Sequence, residues 1–553
     1  MLPLAWLNGG GVRYNGQPTR PIIMAANGMI TSGHALASQA GIRVLQNGGN
    51  AIDAAVTAGA VLGIVQPDMS GAGGDAFMLL HEAATGRMWS MNASGRAPTE
   101  MTLEVLAADR QGQSQAGAAG YEPGRGPNAV SVPGAVRAWA DALERFGTIS
   151  LGDALAPAIA YAEQGFPVSV RLARSIKSNV EILRRCDAAA AVFLHDDAPY
   201  EPGEVLRQAD LGRTLRSIAA DGPGAFYSGD IGGRLVAAHR AAGGLLRETD
   251  LEGQDSIFGD AISTTYRGFT VHDQPPVSLG AVLLEELNIV EGFDLGALPL
   301  LSADRAHLLL EAKKLAFGDM EAYLTDPAST PVPVSGLLSP GYAAARRARI
   351  DPAVASDGYG AGNPRAYGSH TSYLAVVDAH GNAVSWIQSI FERFGSGWMA
   401  AGTGVLLNDR MNGFSIDPGH VNRVEGGKRT ANTLNAPMVT KDGLPYLVFG
   451  TPGGYGQVQS NLQMLTAHID HDIDVMSMIE TPRWLSHQGR HVVAESRFPA
   501  ETLETLGRLG HEVVAKGAWS SGMGDGQAIR INQASGVLEG GADPRREGYV
   551  IGW

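Results

Sequence analysis

The stretch Gly368-Ser-His370-Thr371-Ser-Tyr-Leu-Ala-Val-Val377-Asp378-Ala-His-Gly-Asn382-Ala-Val-Ser-Trp-Ile-Gln-Ser389 decides how the chain is read. A short polar loop, Tyr367 to His370, gives way to a run with strand character in which Leu374, Val376 and Val377 lead to Asp378. A turn over Ala379 to Asn382 follows, then a second strand-like run from Ala383 to Ile390. The pattern predicts a β-hairpin with Thr371 at its very start. A β-branched residue in a strand is ordinary; a hydroxyl displayed where a strand begins is the sharper reading.

The segment ahead of this hairpin, Asp351 to Tyr367, is rich in Gly, Ala, Pro and Asp and has no clear period, so it reads as mobile. Behind the hairpin, Phe394-Gly-Ser-Gly397 and Leu406-Leu-Asn-Asp-Arg410 precede a second hairpin, Ala436 to Val448, turning at Lys441-Asp-Gly443. Phe449-Gly-Thr-Pro452-Gly453-Gly454-Tyr-Gly456 then opens a helix from Gln457 to His468. On the N-terminal side, Ala35 to Leu45 has helical spacing and stops at Asn47-Gly-Gly-Asn50, and an alanine-rich helix spans Ala51 to Val65. Ser70-Gly-Ala-Gly-Gly74-Asp75 leads into a strand from Ala76 to His81; lacking the Lys-Ser/Thr of a phosphate loop, it reads as close backbone packing. Residues 99–128 read as a polar surface excursion, Val130 to Leu246 as mostly helical, Thr264 to Val271 as strand, and Ala303 to Tyr323 as a long helix.

The 553 residues suffice for two ordinary domains or one large layered α/β unit. Composition is globular, 44% hydrophobic and 18% charged. A net charge of -14 argues against a general nucleic-acid binder, which needs a basic face. The single cysteine, Cys186, rules out an intrachain disulfide and a cysteine-based metal cluster. Neither a signal peptide nor a run of about 20 apolar residues is read, so no membrane span is expected and the location reads as cytoplasmic, with a periplasmic one still open.

The chain carries no Gly-x-Ser-x-Gly, His-Glu-x-x-His, Ser-x-x-Lys or phosphate-loop Lys. His468-Ile-Asp-His471-Asp472 reads as solvated polar residues at a helix end, and no metal or cofactor is expected. Thr371 remains. A threonine hydroxyl needs a base to become a nucleophile, and its own α-amine, freed by cutting the preceding bond, is one solution. Such an amine, with a reference pKa of about 7.7–8.0, is substantially neutral near physiological pH. Gly453-Gly454 before a helix offers unobstructed N–H groups for an oxyanion, although Gly-Gly there is also a common turn.

Thr371-Ser372, Asp378 with Gly381-Asn-Ala-Val384, Phe394-Gly-Ser-Gly397, Lys428-Arg429 and Pro452-Gly-Gly454 together resemble the γ-glutamyltransferase family of N-terminal-nucleophile hydrolases. Asn47 to Ala55, Gly73-Gly74, Pro275-Pro276 and Asp326-Pro327 extend the resemblance over nearly the whole chain. It implies a four-layer αββα fold and self-cleavage between His370 and Thr371. The products would be a large subunit of residues 1–370 and a small one of 371–553, associated as a heterodimer. It also implies Thr371 as nucleophile, Ser389 as its hydrogen-bonding support, and Gly453 and Gly454 as oxyanion donors.

The departures point to the substrate. Where the γ-glutamyl enzymes place an Asn after the supporting hydroxyl this chain has Phe391, and where they hold the α-ammonium with an Asp it has Gly413. Their Gln three residues earlier is Arg410, and their Ser-Ser pair is Asn432-Thr433. Their carboxylate-gripping Arg has no exact counterpart, Arg96 lying two positions away. Arg410 and Arg96 suggest an acyl group with a carboxylate but no amine, as in the acylase and amidohydrolase branch that includes cephalosporin acylases acting on glutaryl-type side chains and oxamate amidohydrolases. The leading expectation is a self-processing amide hydrolase for a carboxylate-bearing acyl group, acting on a small-molecule amide. A γ-glutamyltransferase or glutathione hydrolase is the rival enzyme, and an unprocessed, binding-only relative is the rival outside enzymes.

Overall fold

The structure is a computed structural model that describes residues 18–115, 124–360, 370–487 and 489–553. The first hairpin forms as expected: strands β8 (His370–Val377) and β9 (Ala383–Phe391) pair antiparallel. Its turn is built by Asp378, whose carboxylate accepts from the N–H groups of His380 and Asn382 at 2.9 and 3.0 Å. The other carboxylate oxygen takes the Asn382 side-chain amide at 2.8 Å and the Ala51 N–H at 3.0 Å. One side chain thus closes the hairpin and fixes it to the start of a helix.

Before this hairpin the chain supplies β1 (Ile23–Ala25), β2 (Met29–Ser32), β3 (Asp75–Glu82), β4 (Arg87–Asn92), β5 (Ile257–Asp260), β6 (Ile262–Tyr266) and β7 (Phe269–Asp273). After it come β10 (Met438–Lys441), β11 (Leu444–Gly450), β12 (Gln527–Ile531), β13 (Leu538–Ala542) and β14 (Tyr549–Gly552). They form two seven-stranded sheets, ordered β14-β2-β8-β9-β3-β4-β5 and β1-β13-β12-β11-β10-β7-β6. Alternation along each strand assigns the two faces. Phe77, Leu79, Tyr373, Ala375 and Ile387 of the first sheet meet Met438, Val448 and Ile529 of the second in a buried core between the sheets. The opposite-facing Met78, Leu80, Leu374, Val376 and Trp386 pack on helices α1 (Ala35–Gln46), α2 (Ala51–Val65), α3 (Ala135–Phe146) and α4 (Leu151–Gln164). Val271, Val439, Leu447 and Phe449 pack on α5 (Gly280–Val290), α6 (Ala303–Tyr323), α7 (Gly456–His471) and α8 (Val475–Glu480). The result is the four-layer αββα arrangement.

Helix α2 lies against the hairpin because its residues are small. All of it is buried, Asn50 caps it by accepting from the N–H groups of Ile52 and Asp53, and the Gln388 side chain donates to the Gly59 carbonyl at 2.8 Å. A Cβ on Gly59 would sit 2.8 Å from Gln388 Oε1, so a larger residue there would push the helix off the sheet.

Three local expectations change. Residues 103–115 of the supposed surface excursion form a helix, and Met101 and Leu106 are buried against Met411 and Phe414, because a few apolar positions suffice to dock a mostly polar segment. The run Thr264 to Val271 is two strands broken at Arg267-Gly268, where φ is positive. Residues 351–360 are anchored where mobility was expected: Tyr359 donates to Glu311, and Lys314 donates to the Ser356 carbonyl at 2.7 Å. Residues 361–369 lie outside the described residues, as do 1–17 and 116–123. Among the described residues no helix is long and apolar enough to cross a membrane.

Candidate active site

Thr371 and Ser389 are brought together at the open end of the first hairpin. The register passes from His370 opposite Phe391 to Ser372 opposite Gln388, an irregularity that leaves Thr371 alone across from Ser389 and Ile390. Bulges of this kind re-aim side chains beside active sites. Thr371 Oγ1 donates to Ser389 Oγ at 3.3 Å, and both residues are buried. Ser389 Oγ also accepts the Phe391 N–H at 2.8 Å. Phe391 has a φ of 79°, a left-handed conformation that a bulky residue adopts at a cost of about 1–3 kcal/mol.

The Gly453-Gly454 turn lies at the same end. Strand β11 stacks on β8 so closely at its terminus that a Cβ on Gly450 would meet the Tyr373 ring at 2.5 Å. Tyr373 is two residues past Thr371, and Gly450 is three before Gly453. Gly453 and Gly454 have φ values of 145° and 57°, which let the chain reverse into α7. Among the described residues neither of their N–H groups meets an acceptor.

Next to Ser389 lies a buried ion pair. Asp75 is the cross-strand partner of Ser389. Its Oδ2 accepts from Arg410 Nε at 3.0 Å and from the Asn432 side chain at 3.2 Å, while Oδ1 accepts the Gly95 N–H at 2.9 Å. Arg410 and Asp75 have fully buried side chains. Burial pushes the Asp75 carboxyl up and the Arg410 guanidinium down, each against the pull of the other. The guanidinium lies over the Phe391 ring, 4.4 Å from its centre. Its Nη1 reaches Thr433 Oγ1 at 3.4 Å, and among the described residues its Nη2 has no hydrogen-bond partner. A buried guanidinium group with a spare N–H₂ is a ready receptor for a planar anion.

Of the expected substrate residues, Phe391, Arg410, Asn432 and Thr433 therefore gather around one point. Gly413 ends the short turn that begins at Arg410, and a Cβ there would meet Thr430 Oγ1 at 2.8 Å. The Arg96 side chain pairs with Asp255 at 2.8 Å, an acid it shares with Arg429 at 2.6 Å, and the preceding Gly95 is the residue whose N–H reaches Asp75. Asp75 went unnoticed in the sequence because it closes a glycine run that reads as backbone packing. Gly73 and Gly74 do pack closely, a Cβ on either landing 2.1 Å from the Leu406 carbonyl and 2.3 Å from that of Ser389. The available signal was an acid immediately after them at a strand start.

Elsewhere, His468 is buried where a solvated helix end was expected, because its ring is tied to the Ile473 carbonyl at 2.6 Å and the Tyr446 hydroxyl at 3.0 Å; its role is structural. Ligand atoms of His307, Glu311 and His511 lie within 4.8 Å of one another. His307 and His511 bond to each other at 2.9 Å, and Glu311 takes the Lys314 ammonium at 2.7 Å, so the trio reads as a hydrogen-bond cluster whose neighbouring cation opposes a metal ion.

Comparison with known proteins fits this geometry. The family model described as gamma-glutamyltranspeptidase matches residues 37–553. The chain is 38% identical to the glutathione hydrolase-like YwrD proenzyme of Bacillus subtilis (strain 168), over 96% of this chain and 99% of that protein. It is 36% identical to the acylase ACY 1 proenzyme of Pseudomonas sp. (strain V22), over 95% and 93% respectively. The crystal structure of cephalosporin acylase from Bacillus halodurans superposes with a TM-score of 0.90 at 36% identity, covering 98% of each chain. Agreement in sequence and in layer order over almost the full length leads to one conclusion: the protein is an amidohydrolase that belongs to the γ-glutamyltranspeptidase family of N-terminal-nucleophile hydrolases.

Proposed function

We propose that the chain is a precursor that cleaves itself between His370 and Thr371 and then hydrolyses amides whose acyl group carries a carboxylate, glutaryl amides being the type case. The observation that carries the acyl preference is the buried Arg410 with its unpartnered Nη2, next to Ser389 and covered by Phe391. The γ-glutamyl alternative takes support from the similarity to the glutathione hydrolase-like proenzyme of Bacillus subtilis. Gly413 opposes it, because this position carries no carboxylate and has little room for one.

In the proposed reaction the freed α-amine of Thr371 takes the proton from Oγ1 as that oxygen attacks the amide carbonyl. The Gly453 and Gly454 N–H groups receive the oxyanion, and the ammonium passes its proton to the leaving nitrogen. The amine product departs, leaving an ester on Thr371. Water, deprotonated by the same amine, attacks the ester, releasing the acid and restoring the hydroxyl. Ser389 orients the hydroxyl, and residues 1–370 and 371–553 stay together as a heterodimer. The proenzyme names of the relatives support the cleavage, and both fragments contribute strands to the sheets, which supports their association.

Replacing Thr371 with Ala tests the whole reading. The expected result is one full-length band and no hydrolysis of glutaryl p-nitroanilide. A variant that still splits into two chains, or still turns over, would overturn it. Comparing the wild-type protein on γ-glutamyl and glutaryl anilides separates the two acyl readings.

A further inference from the structure

A guanidinium group recognises a carboxylate well only if both its plane and its rotation within that plane are fixed. Here two residues share that task. The Phe391 ring, 4.4 Å away, covers the face of Arg410 and sets the plane. Asp75 Oδ2, 3.0 Å from Nε, sets the rotation, which leaves the outer edge formed by Nη1 and Nη2 for another anion. Among the described residues that edge makes a 3.4 Å contact from Nη1 to Thr433, and Nη2 has no hydrogen-bond partner.

We propose that Asp75 is a positioning residue for acyl selection: it grips Arg410 by Nε so that the outer edge of the guanidinium faces the substrate's carboxylate. This rests on the reading of Arg410 as the acyl receptor. Asp75 is well placed for the task because it is itself immobile. It begins β3 directly opposite Ser389, and Gly74 lies against the Ser389 carbonyl with no room for a side chain. Its carboxylate is also held by the Gly95 N–H at 2.9 Å and the Asn432 amide at 3.2 Å. Both of its oxygens are thus tied to neighbours, which holds the carboxylate in one orientation. One strand pair thus carries both the support of the nucleophile and the support of the acyl receptor, which holds the distance between the reacting carbonyl and the far end of the acyl chain.

The test compares kcat/KM on glutaryl p-nitroanilide and on pentanoyl p-nitroanilide, which has the same chain length without the carboxylate. Wild type, Asp75→Asn, Arg410→Met and the double variant are measured as processed enzymes. Asp75→Asn is expected to lower the glutaryl-to-pentanoyl ratio by about 10- to 100-fold, mainly through KM for the glutaryl substrate. In the Arg410→Met background it should change that ratio no further. A parallel fall on both substrates, leaving the ratio intact, would show that Asp75 only stabilises the fold and would overturn the proposal. So would independent effects in the double variant. If Asp75→Asn fails to process, Asp75→Glu keeps the charge while displacing Arg410, and an unchanged ratio there is equally fatal. Wild type with no glutaryl preference would instead sink the Arg410 reading itself. A preference lost in Arg410→Met but kept in Asp75→Asn would sink the Asp75 proposal alone.

Discussion

Replacing Ser389 with Ala removes an oxygen whose partners include Thr371 Oγ1 and the Phe391 N–H, and the structure gives each of these two contacts a different size. The contact with Thr371 Oγ1 is 3.3 Å, long for a hydrogen bond between hydroxyls. A contact at that weak end is worth about 0.5–1.5 kcal/mol, which corresponds to a roughly 2- to 13-fold slowing of any step in which Ser389 only steadies the hydroxyl. The contact with the Phe391 N–H is 2.8 Å and buried, and losing it strands a donor at a cost of about 1–3 kcal/mol in stability. Phe391 is also held at a φ of 79°, so without this bond it is expected to relax and withdraw its ring from Arg410. Ser389→Ala should therefore lower stability measurably, slow processing about tenfold and weaken discrimination for glutaryl over pentanoyl amides. The assays are the time course of the small fragment on a gel, chemical denaturation of the precursor, and the two anilides. Processing within twofold of wild type together with unchanged stability would refute the pairing of Ser389 with Thr371 and Phe391. A loss of a thousandfold or more would refute the steadying role, because a 3.3 Å contact cannot supply it; Ser389 would then be moving a proton.

Two further outcomes follow from the same region. In Arg410→Met the buried Asp75 loses its cation, and stranding such a charge costs about 3–5 kcal/mol. Burial already holds the Asp75 carboxyl above the ordinary carboxylate range, so the folded state keeps its proton more firmly than the unfolded chain does. Stability then falls as pH rises through the window from the ordinary carboxylate range up to the raised value, and the penalty is complete above it. The variant should be closer to wild type at pH 5 than at pH 8 in urea denaturation; a gap that widens toward pH 5 would contradict this. Gly74→Ala would place a methyl group 2.3 Å from the Ser389 carbonyl, a backbone atom unable to move without opening the β3–β9 pairing. The expected outcome is a precursor that does not process, seen as a single band, and full processing would show that the two strands separate easily.

Much of the architecture was legible because its signals are local. The hairpin bounds, the capped alanine-rich helix α2 and the long helix α6 follow from turn residues, caps and spacing, which act over a few residues. The segment 351–360 was misread because its order comes from Tyr359 and Ser356 meeting Glu311 and Lys314, more than forty positions away, and composition does not encode such partners.

The site divides in the same way. The motifs single out Thr371, Ser389, Gly453 and Gly454 as the expected catalytic groups, and the departures at Phe391, Arg410 and Gly413 are what the proposed acyl preference starts from. By itself the sequence determined the hairpin strand that carries Thr371 and the glycine turn that precedes α7. Only the tertiary structure showed how the two arginines differ: Arg96 pairs with Asp255, while Arg410 is buried against Asp75 and, among the described residues, has no hydrogen-bond partner on Nη2. It also showed that Asp75 is the ion-pair partner of Arg410. The physical reason is that sequence fixes which groups a segment carries, whereas the partner of a buried charge is set by strand register. Here β9 sets Ser389 against Asp75, and the ion pair with Arg410 spans 335 positions of chain.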